Sequence, residues 1–441
     1  MRALVVAALI AGALVRIVSL PIGVPAVDNP WRAWSYHAAT RGPWQLYGPR
    51  GHTVKFGDLA EPVVYPPLAL DELALVGRAH LALNGGHFDN DVALTRTIKG
   101  ALALADGVLA TLIFLAVRQA ADRSRAWSAA LAYWLNPAVL MMTTLGFLDV
   151  FLAIPAVGAV IAASYARPWL SGALFTAAVM TKPQGLFVAP AVALALWNAE
   201  GGDRRLDRLA AAVAASAIAA AAIVAPLVAA GTAVYMLRSV AVLAGHDALS
   251  ALAFNLWWIV SYLLQAAAAS GQGLRAALHV QTEMMTHAQA MARGFPNTRI
   301  VGILVAGAAV LWGIKTAIRT RGLGLHAALA AFIVCAYFTL SVQVHENHFF
   351  LLMPLLAVAA ALRREFAPVL AALSVTLALN LYLVYGLFGR GGPDASANLA
   401  GLDATVGLAV MNCLVFGWFG ATFAHACRSV PSPAGPSMGV P

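Results

Sequence analysis

The sequence predicts an all-α fold: a polytopic membrane helix bundle of about twelve transmembrane helices, with a long first extracytoplasmic loop that carries interfacial helices. Three observations predict it. Of the 441 residues, 61% are hydrophobic and only 11% are charged, whereas a soluble domain is nearer a quarter charged. Apolar runs of spanning length recur along the whole chain. Lys and Arg fall in short clusters between those runs and form no basic face, so the positive-inside rule accounts for the net charge of +9 and nucleic acid is excluded as a partner. Residues 1–428 read as one transmembrane domain, with residues 23–96 as its first extracytoplasmic loop. The Pro/Ser/Gly-rich residues 429–441 read as a disordered tail.

The elements follow in order. Residues 3–21 resemble a signal peptide, but they lack a small-x-small cleavage site and Arg16 interrupts them, so they read as a retained first helix that leaves the cytoplasm after Arg2. Residues 68–84 hold Asp71, Glu72, Arg78 and His80, which suits a helix lying on the outer surface or half inserted. Residues 97–117 return to Arg118, Arg123 and Arg125 inside. Residues 127–146 go out and 150–166 come back. Residues 167–197 are too long for one pass and break at Lys182-Pro183, which makes two short passes with Lys182 and Gln184 at the outer hairpin. Residues 209–230 go out and 300–314 come in, with the apolar stretch 254–269 between them read as interfacial or re-entrant to keep parity. Residues 323–342, 349–361, 369–388 and 405–425 complete the bundle with both ends inside. Cys335, Cys413 and Cys427 show no CxxC spacing and read as core residues. The chain has no Asn-x-Ser/Thr sequon, consistent with a bacterial inner (cytoplasmic) membrane.

This topology segregates the polar residues. Basic clusters fall inside, whereas isolated ionisable residues in apolar text fall at outer turns, where such residues are kept mostly for a purpose. They are expected to converge on one outward-facing cavity. Asp28 opens the aromatic-rich loop and is a candidate general base for an acceptor hydroxyl, or a cap for a helix over residues 31–40. Tyr65-Pro66-Pro67 is a rigid return to the membrane that can also shape a pocket. Asp149 is either a second acid for a metal or an acceptor, or a helix-end charge in water. Lys182, at the broken helix with Gln184, can neutralise a phosphate as a point charge. In Val344-His345-Glu346-Asn347-His348-Phe349, His345 and His348 would share a helix face; the spacing is not that of a zincin, and the imidazoles can grip a phosphate. Arg238, His246, Asp247 and Asn255 are weaker candidates for contacts, of which Arg238 is retained as a phosphate ligand.

Asp28 in the first outer loop, Tyr65-Pro66-Pro67-Leu68, the Lys182-Pro183-Gln184 break and Val344 to Phe349 together resemble the GT-C superfamily of polytopic glycosyltransferases. Within it the likeness is to dolichyl-phosphate-glucose glucosyltransferases and polyprenyl-phosphate-mannose mannosyltransferases. The former carry an Asp in the first lumenal loop, an Asp-Tyr-Pro-Pro-Leu segment and a Val-His-Glu-Lys motif. Here Val64 replaces the Asp before Tyr-Pro-Pro, Asn347 replaces the Lys, and Gly146-Phe147 stands where bacterial relatives often show Gly-Gln. The resemblance implies inverting transfer of a glucose or mannose from a polyprenyl-phosphate-linked donor to an acceptor hydroxyl of a lipid-linked glycan or glycolipid, on the outer membrane face. Asp28 would be the base, Lys182, His345, His348 and Arg238 the phosphate ligands, and Tyr65, Gln184, Glu346 and Asp149 would contact substrate. No cofactor is assigned, and a divalent metal is possible; membrane lipids are the remaining partners. A glycolipid transporter or flippase is the second reading, but internal halves with matching broken helices are not found.

Overall fold

A computed structural model describes residues 2–49, 52–199, 204–243, 245, 247–273, 276, 279–389, 398–399 and 402–429. The expected disorder of the tail, from residue 430 onward, and the candidate His246 lie outside the described residues.

The first half runs α1 (Arg2–Ser19), α2 (Pro25–Arg41), the hairpin strands β1 (Thr53–Phe56) and β2 (Leu59–Pro62), α3 (Pro67–Leu83), α4 (Val92–Ala120), α5 (Arg123–Trp134), α6 (Pro137–Leu145), α7 (Asp149–Ser164), α8 (Pro168–Thr181) and α9 (Ala189–Asn198). The second half runs α10 (Arg205–Ala229), α11 (Ala233–Leu243), β3 (Ser250–Ala251), α12 (Leu256–Ala269), α13 (His287–Ala292), α14 (Thr298–Ala317), α15 (Leu323–Leu340), β4 (Val344–His345), α16 (Leu352–Leu362), α17 (Ala367–Tyr385), the two-residue strands β5 (Asn398–Leu399) and β6 (Leu402–Asp403), and α18 (Ala404–Arg428). The architecture is all-α, with three two-stranded ladders among the described residues. Val92–Ala120, Arg205–Ala229, Thr298–Ala317, Leu323–Leu340, Arg364–Tyr385 and Ala404–Arg428 are long and apolar enough to cross a membrane. Six shorter apolar helices accompany them. The chain is a multi-pass membrane protein.

Punctuation in the sequence sets the breaks. Asn136 caps α6 by accepting from the backbone N–H groups of Ala138 and Val139, and Pro137 follows at the first helical position, so the expected pass over 127–146 is made of two helices. Pro183 ends α8 and a 3₁₀ segment, Pro183–Val188, leads to α9. Small residues then let helices touch: a Cβ on Gly172 would stand 2.1 Å from the Ala212 carbonyl oxygen, so α8 and α10 pack backbone to backbone. The central element is α15, buried along almost its whole length, whereas α10 turns Leu206, Val213, Ile218 and Val228 outward as a lipid-facing helix does.

Three expectations about local structure change, and the reading of 254–269 does not. The helix expected over residues 31–40 begins at Pro25, so Asp28 lies in its first turn instead of capping it. The first loop contains the β1–β2 hairpin as well as helices. His345 and His348 do not share a helix: Val344 and His345 pair in parallel with Ser250 and Ala251, followed by turns. The stretch 254–269 is the helix α12, whose 14 residues reach only about 21 Å, short of a ~30 Å hydrocarbon core.

One buried polar network crosses the bundle. Arg16 of α1 donates from Nε to Asp106 Oδ2 of α4 at 2.9 Å and from Nη1 to the Trp134 carbonyl at 3.1 Å, with its guanidinium 3.8 Å from the Trp134 ring centroid. Asp106 also receives the hydroxyls of Tyr133 and Thr143. Removing one member strands the other, which costs ~3–5 kcal/mol. Asp106→Ala is therefore expected to lower the thermal unfolding midpoint in detergent sharply, whereas Arg16→Met combined with Asp106→Leu should lower it less.

A second prediction concerns Glu72 of α3, a helix that is not among the spanning candidates. Burial pushes its carboxyl up to about 8, against the opposing pull of the Thr181 hydroxyl bonded to it at 3.3 Å; Asp71 raises it further. The native state thus holds a proton that the unfolded chain releases above its ordinary value of 4.5. Stability from this group is full below that value and is lost as pH rises through about 8. Unfolding midpoints measured between those limits should fall with pH in the natural protein and fall less in Glu72→Gln.

Candidate functional site

The site is built at the end of the bundle where the loops expected to lie outside gather. Helix α2 supplies Trp31 and Trp34, and the chain returning through Tyr65-Pro66-Pro67 places the Tyr65 ring 5.4 and 5.3 Å from them. The three rings form a wall. The hydroxyl of Tyr47 donates to the Tyr65 carbonyl at 2.7 Å and fixes that turn.

The floor comes from two helix breaks and one late segment. Because α8 ends at Thr181 and α7 begins at Asp149, Lys182 Nζ meets Asp149 Oδ1 at 2.7 Å, both side chains being 4% exposed. Asn347 donates to the other Asp149 oxygen at 3.0 Å. Lys182 also lies 5.5 Å from the Tyr65 ring centroid, within cation–π range. Burial opposes the Lys182 charge, but Asp149 and Tyr65 together hold its ammonium well above the ordinary lysine range.

The segment 341–351 is clamped from the neighbouring loop. Asn255 donates to the carbonyls of Phe338 and Ser341, at 3.0 and 3.3 Å, and the β3–β4 pairing follows. Leu252 and Gln343 flank this clasp with φ of 62° each, a left-handed conformation that a side chain as bulky as Leu adopts only under constraint. The result fixes three side chains. Glu346 accepts from the Tyr385 hydroxyl at 2.7 Å and burial raises its carboxyl above the usual range. His348 is held by the Gln184 amide at Nε2, 3.0 Å, and by the Tyr337 hydroxyl at Nδ1, 3.2 Å. His345, 42% exposed, stands 5.3 Å from the His348 ring and 3.9 Å from Glu346.

These elements enclose a cavity of about 1040 Å³. Of the expected site residues, Tyr65, Lys182, Gln184, His345, Glu346 and His348 line it, joined by Trp31, Trp34, Glu61, Arg299, Asn347 and Tyr385. Asp149 stands behind Lys182 and Asn347. Arg238 is an exposed residue of α11 that is not part of the lining, although Val240 and Val242 of that helix are.

Asp28 is 2% exposed and does not line the cavity, although its neighbour Val27 and the neighbour of Gly146, Phe147, do. Its Oδ2 accepts from the Val24 N–H at 2.6 Å and lies 4.0 Å from Arg32. Gly146, with φ +98°, leaves room for Oδ1, which a Cβ there would approach to 2.7 Å. Burial raises the Asp28 carboxyl, while Val24, Lys99 and Arg32 oppose that. Among the described residues no group of three or more His, Cys, Asp or Glu side chains is placed to hold a metal ion.

Two lining residues had a weak signal in the sequence. Glu61 stands in the polar text just before Tyr65, and Arg299 is an isolated cation at the end of a spanning helix opposite Lys315 and Arg319, where the positive-inside rule offers no reason for one.

No protein-family model matches the sequence, and no curated protein matches it at a significant level. Among solved structures, the chain is similar to the crystal structure of ArnT from Cupriavidus metallidurans in the apo state, with a TM-score of 0.50 and 16% identity over 97% of this chain and 77% of that one. The crystal structure of the Archaeoglobus fulgidus oligosaccharyltransferase in the apo form gives a TM-score of 0.44 and 14% identity over 96% of this chain and 56% of that one. At this identity the likeness to ArnT bears on the fold alone: the chain shares the polytopic helical fold of that protein, in agreement with the helix breaks and loop-built cavity described above.

Proposed function

We propose that the protein is an inverting glycosyltransferase of a bacterial inner membrane, which moves a hexose, glucose or mannose, from a polyprenyl-phosphate-linked donor to an acceptor hydroxyl of a lipid-linked glycan or glycolipid on the outer face. The observation that carries this reading is the two-sided character of the cavity. One side is polar, with His345, Glu346, Gln184 and Asn347, while the other continues onto the exposed apolar side chains Leu186, Val242 and Ile303. An amphiphile with a polar head and a long apolar tail matches both sides, and a water-soluble sugar nucleotide does not.

The chemistry of the wall supports a sugar between the two. Trp31, Trp34 and Tyr65 present ring faces and edges, and the indole N–H groups of Trp31 and Trp34 and the amide oxygen of Gln184 are buried without hydrogen-bond partners among the described residues. Buried polar atoms of this kind call for an explanation, and sugar hydroxyls would supply their partners. Arg299, at the apolar side, makes no side-chain hydrogen bond or ion pair among the described residues and is well suited to a donor phosphate, as Arg238 is not. His345 assists it. Lys182 is committed to Asp149 and contributes positive potential from below, and His348 is positioned by Gln184 and Tyr337.

The reaction forms a bond from the acceptor oxygen to the anomeric carbon and breaks the bond from that carbon to the phosphate oxygen, which leaves as polyprenyl phosphate. Proteoliposomes given radiolabelled polyprenyl-phosphate mannose or glucose and an alkyl glycoside acceptor should yield a new glycosidic bond. Movement of label across the bilayer with no new bond would instead establish a flippase. In the same assay Arg299→Ala should raise the donor KM about tenfold or more, the loss expected for one charge-assisted hydrogen bond, with Arg299→Lys intermediate.

A further inference from the structure

We propose that Glu61 is the general base of this transfer, accepting the proton of the acceptor hydroxyl inside the cavity; the assignment rests on the transferase reading above. The register of the hairpin places it there. Glu61 pairs with Val54 and Leu59 with Phe56, and directly opposed residues of an antiparallel pair turn to the same face. That face is the inner one, because Val54 and Phe56 are buried while their neighbours Thr53 and Lys55 are exposed. A carboxylate thus occupies a register position that the rest of the hairpin gives to apolar side chains, and it lines the cavity beside Tyr65 and Trp31. Among the described residues no hydrogen bond or ion pair reaches it.

The other carboxylates near the cavity are either engaged or withdrawn from it, and Asp28, whose Oδ1 is buried without a hydrogen-bond partner among the described residues, does not line it. Asp149 is bound by Lys182 at 2.7 Å and Asn347 at 3.0 Å, Glu346 takes the Tyr385 hydroxyl at 2.7 Å, and Asp28 is recessed against Val24. A base needs a lone pair that can reach the reacting proton, which Glu61 offers without first breaking a contact. Partial burial also raises its carboxyl above the ordinary 4.5, which makes it a stronger base than an exposed glutamate.

The step balances without a co-reactant. As the acceptor oxygen attacks the anomeric carbon, its proton passes to Glu61; the electron pair of the breaking carbon–oxygen bond leaves with the phosphate; Glu61 then returns the proton to water at the cavity mouth.

The test uses the full chain in proteoliposomes with radiolabelled polyprenyl-phosphate mannose or glucose and an alkyl glycoside acceptor. Glu61→Gln should lower kcat by ~10²–10⁴-fold, the usual contribution of a general base, with donor KM little changed. Glu61→Ala should regain rate when formate is added, because formate replaces the carboxylate, and Asp58→Asn at the hairpin turn should keep full rate. A Glu61→Gln protein that retains more than half the rate overturns the assignment, as does a Glu61→Ala loss that neither formate nor Glu61→Asp relieves. A natural protein that forms no glycosidic bond from either donor defeats the transferase reading itself, an outcome distinct from an active enzyme whose rate survives Glu61→Gln.

Discussion

The buried pair of Lys182 and Asp149 is the constraint on which the site depends. It ties the end of α8 to the start of α7, and Asn347 extends the tie to the segment between α15 and α16. Three stretches of chain, distant in sequence, thereby acquire one geometry. An unpaired charge at that depth would be far more costly than the pair, so each partner makes the other tolerable.

Around this fixed floor the walls are of different kinds. Trp31, Trp34 and Tyr65 are packed against one another and take their places from helix α2 and from the rigid turn at Pro66-Pro67. The opposite wall, at 341–351, is held by backbone pairing to β3, and two left-handed non-glycine residues, Leu252 and Gln343, flank that clasp. Strain of this sort persists only where surrounding contacts over-determine the backbone, here the two hydrogen bonds of Asn255 and the pairing of Val344 with Ser250. The third side is open to apolar residues of α11 and α14.

Much of this was legible in the sequence because membrane proteins segregate polar residues so strictly. The bundle, the break at Lys182-Pro183 and the meeting of Tyr65, Gln184, Glu346 and the two histidines in one cavity all follow from reading isolated ionisable residues as outer-turn residues. What the sequence hid were matters of register and pairing. A four-residue strand has too short a period for Glu61 to be assigned a face, so the inward carboxylate was visible only once its partner Val54 was known. Asp28 looked exposed because it opens a polar loop, and its burial depends on Gly146, more than a hundred residues away. The histidine pair looked helical by spacing, and a pairing with Ser250 and Ala251 across ninety residues overrides that local rule.

The pairing of Arg16 with Asp106 spans ninety positions of chain. During synthesis α1 therefore enters the bilayer well before its counterion exists, bearing in its last turn a guanidinium whose cost is lower than the ~2.5–3.5 kcal/mol of a helix centre because it can reach toward the interface. Until α4 emerges, α1 lacks the ion pair that ties it to the bundle. Assembly of this protein thus begins with a provisional anchor, and the arrival of a single aspartate turns it into a permanent one.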